Sequence, residues 1–373
     1  MSRGRVGILT TYHIHNDGER IIYGGAERYG IEFTRMLVEM GYEVSWWQIG
    51  SGWTAEVIPG VPLYTLPAEG VSYQFCPSLN HAFHEKAQGI DYAVYFTTLL
   101  AYPEALEKSI SISHGIYWDY PLWERMFPTE DHRREWRRRW KDALERPRRI
   151  VSCDTATLRF INASWPGLAP KLEYIPNFVD LNVFHPPAEE PKRERIRILY
   201  PRRLTSVRGI NDTLISIARL SAEYDHLEFH IVGRGHNDEK EREMFAWAAE
   251  RDNVYYYWQP PHAMAHVYRN VDIVLIPTKG AEGTSLSCLE AMACGRVVVA
   301  GCTGGLCDLI IDGYNGVLLR PLTARTLTDA IRLLVEDGDL RKRLGRRAYE
   351  TASAFSLEKW KERWSEVIDR TFD

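Results

Sequence analysis

The sequence has little that would place it in a membrane, in an oxidising compartment or on nucleic acid. No apolar run in its 373 residues reaches the length of a membrane span. Met1-Ser-Arg-Gly-Arg-Val6 runs straight into a strand-like stretch, without the apolar segment of a signal peptide. Cysteine is sparse. The six, at 76, 153, 288, 294, 302 and 307, show no C-x-x-C and no ligand spacing with histidine. They are expected to be reduced, small core residues of a cytoplasmic protein. A formal net charge of −4 supplies no global pull toward nucleic acid or anionic lipid. Also missing are G-x-G-x-x-G, the G-x-S-x-G elbow, H-E-x-x-H and the kinase motif set. The one D-x-D spelling, Asp337-Gly-Asp339, falls between two late helical patterns and reads as a helix cap, so no metal cofactor is expected. There is no repeat beyond two α/β halves, and no low-complexity tract. What remains is ordinary globular composition, 45% hydrophobic and 26% charged, with room for two domains.

The most informative stretch is Pro277 to Gly295. An apolar run, Asp272-Ile-Val-Leu-Ile276, leads into a polar turn bearing Gly280 and Gly283. Ser285 to Cys294 then reads as a helix stopped by Gly295, and Val297-Val-Val-Ala300 resumes the strand pattern. This is a βαβ unit of a parallel sheet. Its loop joins a strand's carboxyl end to a helix's amino end, where free N–H groups and a partial positive charge suit a phosphate. Glu282 and Glu290 stand eight positions apart, which on a helix is about two turns or roughly 12 Å. A sugar–diphosphate–ribose ligand carries hydroxyl-rich ends about that far apart. Glu290 is followed by Ala-Met-Ala in an apolar helix, where an unpaired carboxylate is costly.

Glu282-Gly-Thr-Ser-Leu-Ser-Cys-Leu-Glu290 resembles the E-x7-E signature of the retaining glycosyltransferase family 4. The resemblance implies the GT-B architecture: two Rossmann-like α/β domains with parallel sheets facing a central cleft, and a last helix that crosses back to the first domain. It is specific from Arg203 to Gly305 and loose from Ser51 to Ile90. The domains are expected at 1–183 for the acceptor and 196–355 for the nucleotide sugar. A proline- and charge-rich linker, 184–195, joins them, and 356–373 is the returning helix.

Other segments agree with the resemblance. Gly24-Gly-Ala-Glu-Arg28 opens an amphipathic helix after the first strand; glycines there also serve close packing alone. The family carries Gly-Gly-x-Glu-Arg at this place, which implies an acceptor-side role for Gly24 and Gly25 and contact of Gly25 with the donor phosphates. Ser109–Ser113 ends at His114, a strand-end histidine that the family places on the transferred sugar. Pro176-Asn-Phe-Val-Asp180 is similar to the P-N-G-V-D that closes the first domain, with Phe178 in place of glycine. Pro201-Arg-Arg-Leu-Thr-Ser-Val-Arg-Gly209 resembles G-R-L-x-x-x-K-G. Arg203 then takes the arginine place on the diphosphate, Arg208 replaces the lysine, and Arg202 replaces the glycine. Gly233 follows another strand on the donor side. Trp136, Trp140 and Leu144 share one face of a basic helix over 132–144. A packed core stripe is preferred there over a grip on acidic membrane.

The expected catalytic set is thus Glu282, His114, Arg203 and Arg208. Gly25, Gly233, Gly283, Thr284, Ser285, Leu286 and Glu290 are expected on the donor. The expected reaction moves a sugar from a nucleotide diphosphate, UDP before GDP, to a saccharide, lipid-linked or small-molecule hydroxyl with α-linkage. An epimerase or phosphorylase of the same fold, or a non-catalytic nucleotide-sugar binder, are the alternatives. The expected location is cytoplasmic, or the inner face of a membrane.

Overall fold

The computed structural model describes residues 2–15, 22, 24–70, 74–115, 123–235 and 237–372. These form two compact α/β units. The first takes the described residues up to Pro176 together with those from Trp360 on; the second holds Asn177–Lys359.

In the first unit the chain runs β1 (Arg5–Leu9), α1 (Gly25–Glu39), β2 (Glu43–Ile49), β3 (Thr54–Ile58), β4 (Val61–Leu66), α2 (Pro77–Lys86), β5 (Tyr92–Tyr95) and β6 (Ser109–Ser113). Then follow α3 (Trp123–Met126), α4 (Glu130–Glu145), β7 (Arg149–Ser152), α5 (Thr155–Ser164) and β8 (Leu172–Tyr174). The strands make one eight-stranded sheet in the order β3-β4-β2-β1-β5-β6-β7-β8. All pairings are parallel except the β3–β4 hairpin. That hairpin and α2 fill the stretch where the family resemblance is weakest. Between β1 and α1, residues 16–21 and 23 lie outside the described residues.

The second unit runs β9 (Ile196–Tyr200), α6 (Ile210–Glu223), β10 (Leu227–Val232), α7 (Asp238–Ala249), β11 (Val254–Tyr257), α8 (Met264–Arg269) and β12 (Ile273–Ile276). It continues with α9 (Leu286–Ala293), β13 (Val297–Gly301), α10 (Leu306–Leu309), β14 (Val317–Leu319), α11 (Ala324–Glu336) and α12 (Gly338–Ala352). Its six strands are ordered β11-β10-β9-β12-β13-β14, all parallel. Helices cover both faces, so β12 and β13 are buried along their whole length and read as unbroken apolar runs. The strand order reverses between β9 and β12, the switch point where such sheets leave a crevice at their carboxyl ends.

By packing, the chain from Asn177 to Lys359, including the proline- and charge-rich stretch, groups with the second unit. Val179 and Phe184 are buried in that unit's core. Arg296 forks onto the Glu190 carboxylate at 2.6 and 3.0 Å, which anchors the proline-rich stretch. The last helix, α13 (Leu357–Phe372), starts in the second unit and passes into the first. There Trp360 and Trp364 pack edge-on against Tyr29 and Phe33 of α1, and the Trp364 indole donates to the Tyr29 hydroxyl at 2.9 Å.

On α4, Trp136, Trp140, Ala143 and Leu144 are buried, which agrees with a core stripe. The Trp140 indole donates to Thr98 Oγ1 at 3.0 Å, so its one polar atom is satisfied inside. Asp337 caps α12 by accepting from the Leu340 amide at 2.8 Å, as the D-x-D spelling led one to expect. The cysteine expectation needs correcting. Cys76, Cys153, Cys288 and Cys294 are buried, but Cys302 is only half-buried and Cys307 is exposed. Cys302 sits in the turn after β13 and Cys307 in the first turn of α10, neither a core position. Among the described residues no helix is long and apolar enough to cross a membrane.

Candidate functional site

Two loops meet at the switch point of the second sheet, Pro201–Gly209 after β9 and Pro277–Ser285 after β12. Glu282 is 8% exposed, a depth at which a carboxylate needs partners. It has two: the guanidinium groups of Arg202 and Arg208 both donate to Glu282 Oε2. Arg202 spans the loop, giving Nη1 to Ser285 Oγ at 3.0 Å and Nη2 to Thr278 Oγ1 at 3.2 Å. Arg208 gives a further bond to the Ala281 carbonyl at 3.3 Å. Burial pushes the Glu282 carboxyl up, but Arg202 and then Arg208 outweigh it and hold the group below the usual range. The site is therefore an ionised carboxylate between two cations, with a surplus of positive charge.

The backbone around it is crowded, and glycines make the crowding feasible. A Cβ on Gly304 would lie 1.9 Å from the Glu282 carbonyl oxygen, and one on Gly209 would lie 2.0 Å from that of Pro277. Gly304 and Gly209 also sit at φ +47° and +81°, where glycine alone is unstrained. The Gly305 amide donates to the Glu282 carbonyl at 3.1 Å. Ala281 adopts φ +52°, the one non-glycine residue with positive φ among those described. Strain of this kind persists where the surroundings over-determine the chain, and it clusters at ligand sites.

Three residues that carried no role in the sequence reading belong to this site. Arg202, taken only as a replaced glycine, is the side chain that fastens Glu282. Arg203 is exposed, and its carbonyl accepts from the buried Tyr200 hydroxyl at 3.0 Å. Neighbouring residues in an irregular turn point different ways, so spacing could not choose between the two arginines. The second is Asn177: its amide donates to Thr284 Oγ1 at 2.6 Å and its side-chain nitrogen to the Thr284 carbonyl. The Asn177 carboxamide oxygen is buried without a partner. The third is Tyr200, whose hydroxyl also reaches the Arg208 carbonyl at 3.1 Å and so clamps both ends of the arginine turn.

The other expected residues are distributed as follows. Gly283, Thr284, Ser285 and Leu286 are buried in the loop and at the start of α9, which Ser285 precedes. Glu290 is 2% exposed inside α9. Glu282 lies in irregular backbone ahead of the helix, so the two-turn estimate of the glutamate spacing does not apply. Gly233 follows β10, and a Cβ there would lie 2.0 Å from the Arg202 carbonyl oxygen. Its smallness lets the arginine turn pack down.

Gly24, Gly25 and His114 lie in the first unit. Gly24 precedes α1 in extended conformation, and Gly25 opens the helix in an exposed position. His114 follows β6 and packs against Tyr29 and Phe96, with ring centroids 4.9 and 4.6 Å away. Its Nδ1 lies 3.8 Å from Cys153 Sγ, and its buried Nε2 has no hydrogen-bond partner. Burial lowers its pKa to about 4, so the ring is neutral at pH 7. Among the described residues no three His, Cys, Asp or Glu side chains converge as a metal set would.

Comparison with known proteins adds to this geometry. Residues 23–183 match the model described as Glycosyltransferase Family 4, and residues 184–351 the one described as Glycosyl transferases group 1. A sucrose-phosphate synthase from Thermosynechococcus elongatus has a similar fold, with TM-score 0.78 and 19% identity over 99% of both chains. HepE from Anabaena, solved in complex with UDP-glucose, gives 0.74 and 15% over 99% of this chain and 100% of that one. WaaG, a glycosyltransferase involved in lipopolysaccharide biosynthesis, gives 0.76 and 14% over 97% and 99%. At these identities the likeness establishes the fold, which is GT-B. A D-inositol 3-phosphate glycosyltransferase from Segniliparus rotundus is 28% identical over 201 residues, 50% of this chain and 44% of that one. An exopolysaccharide phosphotransferase from Streptomyces coelicolor is 25% identical over 229 residues, 60% of this chain and 24% of that one. The chain spans between 22% and 48% of the length of the curated relatives it matches.

Proposed function

We propose, for a chain that belongs to glycosyltransferase family 4, that it transfers a sugar from a nucleoside diphosphate to an acceptor hydroxyl with retention, forming an α-linkage. The observation that carries this reading is the convergence of Arg202 and Arg208 on Glu282 in a buried loop at the switch point of a parallel sheet. The hard step is departure of the sugar from the diphosphate, when negative charge grows on the leaving phosphate. Arg208 and the exposed Arg203 receive that charge, with the amides of Gly283 to Leu286 at the start of α9. Arg202 keeps Glu282 ionised and aimed. Glu282 accepts hydrogen bonds from the donor sugar, and Glu290 from the ribose. Each donor to the developing charge is worth on the order of 2–4 kcal/mol.

The family resemblance assigns His114 to the transferred sugar and the Gly24-Gly25 loop to the acceptor side. The acceptor is a saccharide, a lipid-linked glycan or a small molecule. UDP is the preferred nucleotide and GDP the next; HepE of the same fold was crystallised with UDP and UDP-glucose. Guanidinium groups take the place that a divalent cation holds in other sugar transferases, so turnover is expected to survive EDTA. A cytoplasmic location goes with this reading.

The test is a screen of UDP- and GDP-sugars by thermal shift, followed by turnover with saccharide acceptors. A binding donor is expected to stabilise the protein by about 2.7 kcal/mol at a hundredfold excess over its Kd, and Glu282→Ala to abolish transfer. Release of free sugar phosphate, or epimerised donor without acceptor, would replace transfer by one of the other chemistries of this fold. Absence of stabilisation by any nucleoside diphosphate overturns the reading.

A further inference from the structure

Beside the Glu282 loop lies a pair of thiols that the proposed reaction does not use. Cys302 and Cys307 flank the turn that leaves β13, and their sulfurs are 2.9 Å apart. Arg320 Nη2 lies 2.6 Å from Cys302 Sγ. The other four cysteines are buried, while Cys307 is exposed and Cys302 half-exposed, so a small oxidant reaches this pair alone. Between the two thiols the turn carries Gly304 and Gly305, the glycines seated on the backbone of Glu282 and of Gly283–Thr284. Just before it, Gly301 is seated on the Thr278 carbonyl, where a Cβ would lie 2.2 Å from the oxygen.

We propose that Cys302 and Cys307 are a redox modification site, a dithiol that a peroxide closes to a reversible disulfide, and that closing it weakens the neighbouring donor site. The second half rests on the donor site proposed above; the first does not. The Arg320 guanidinium lies against the Cys302 sulfur, which assigns Cys302 as the attacking sulfur. Burial, and then its bond to Cys302, push the Cys307 thiol up to about 12, so Cys307 enters second.

The Cys302 thiolate attacks one peroxide oxygen. The O–O bond breaks, a sulfenic acid forms, and the departing hydroxide takes a proton from solvent to become water. Cys307 then attacks the sulfenic sulfur. The S–O bond breaks and hydroxide leaves with the Cys307 proton as a second water. Two thiols and one peroxide become one disulfide and two waters, and the two sulfurs supply both electrons. The new bond, about 2.05 Å long, draws in a turn whose backbone has no slack against the Glu282 loop. Displacements well below 1 Å at a binding loop are costly.

The experiment treats the reduced, full-length protein with hydrogen peroxide and reads intact mass, peptide mapping and UDP affinity. The expected result is a mass loss of two hydrogens mapped to the Cys302–Cys307 peptide and reversed by dithiothreitol. Donor affinity is expected to fall about tenfold in the oxidised form. Cys307→Ser is expected to stop at a dimedone-reactive Cys302 and to keep its UDP affinity after peroxide. Cys302→Ser is expected to show neither change. No cross-link, or one mapped to other cysteines, overturns the site. A disulfide that leaves UDP affinity unchanged overturns the coupling. If the reduced protein binds no nucleoside diphosphate, the proposed function fails, while the mass readout still decides the dithiol.

Discussion

His114 and Glu282 occupy equivalent places, each just beyond the carboxyl end of a parallel strand, one in each unit. Their surroundings are opposite. His114 sits among Tyr29, Phe96 and Cys153, and burial alone makes it neutral. Glu282 is buried as well, yet Arg202 and Arg208 keep it charged. The same slot in the same kind of sheet therefore yields an uncharged aromatic pocket or an ion cluster, according to what the adjacent loops carry. Topology chooses where chemistry happens, and the side chains of neighbouring turns choose its sign.

The largest effect should come from removing the charged centre. Glu282→Ala leaves two guanidinium groups in a buried loop without their shared acceptor, and is expected to cost about 3–5 kcal/mol in urea unfolding, besides abolishing transfer. A loss below 1 kcal/mol would show the cluster to be solvated and the contrast with His114 to be false. Its pH dependence has a definite sign. The folded carboxyl titrates below the ordinary 4.5, so the stabilisation is present above that value and drains away as pH falls through the lower folded value.

A smaller effect, in a different window, belongs to the neutral site. An unfolded chain protonates His114 from pH 6.5 downward, but the folded one resists until about 4. Its contribution is complete above pH 6.5 and is lost between 6.5 and about 4. His114→Gln is expected to flatten the stability profile across that window by about 3 kcal/mol. His13, buried and likewise lowered to about 4, adds its own slope and serves as the reference variant. An unchanged slope in His114→Gln would mean that the ring is protonated in the folded state.

The smallest effect on stability tests the division of labour between adjacent arginines. Arg203→Ala, at an exposed position, is expected to change stability by no more than about 0.5 kcal/mol while lowering turnover about tenfold or more. Equal losses of stability and turnover would place Arg203 inside the ion cluster, beside Arg202.

Much of this site was legible in the sequence because its local signals are strong. Apolar runs at 273–276 and 297–300, a helix between them and Gly295 as its stop place Glu282 beyond a strand end from the sequence alone. The roles of Arg202, Asn177 and the exposed thiols were not legible. Each depends on contacts between segments remote in the chain: Arg202 with Glu282, Asn177 with Thr284, and Gly304 with the Glu282 backbone. The packing of the proline- and charge-rich stretch was hidden for a related reason. A proline- and charge-rich composition describes a linker, but Phe184 and the Arg296–Glu190 pair bind that segment to the second core.

Sequence alone determined the two α/β halves, the parallel sheet, the loop that carries Glu282 and the family, because period, glycine placement and charge type are properties of neighbours along the chain. Tertiary structure decided which arginine holds that glutamate, why its loop tolerates no Cβ at Gly304, and which cysteines face solvent. Those outcomes turn on the direction of side chains in irregular turns, which nothing short of the packed backbone specifies.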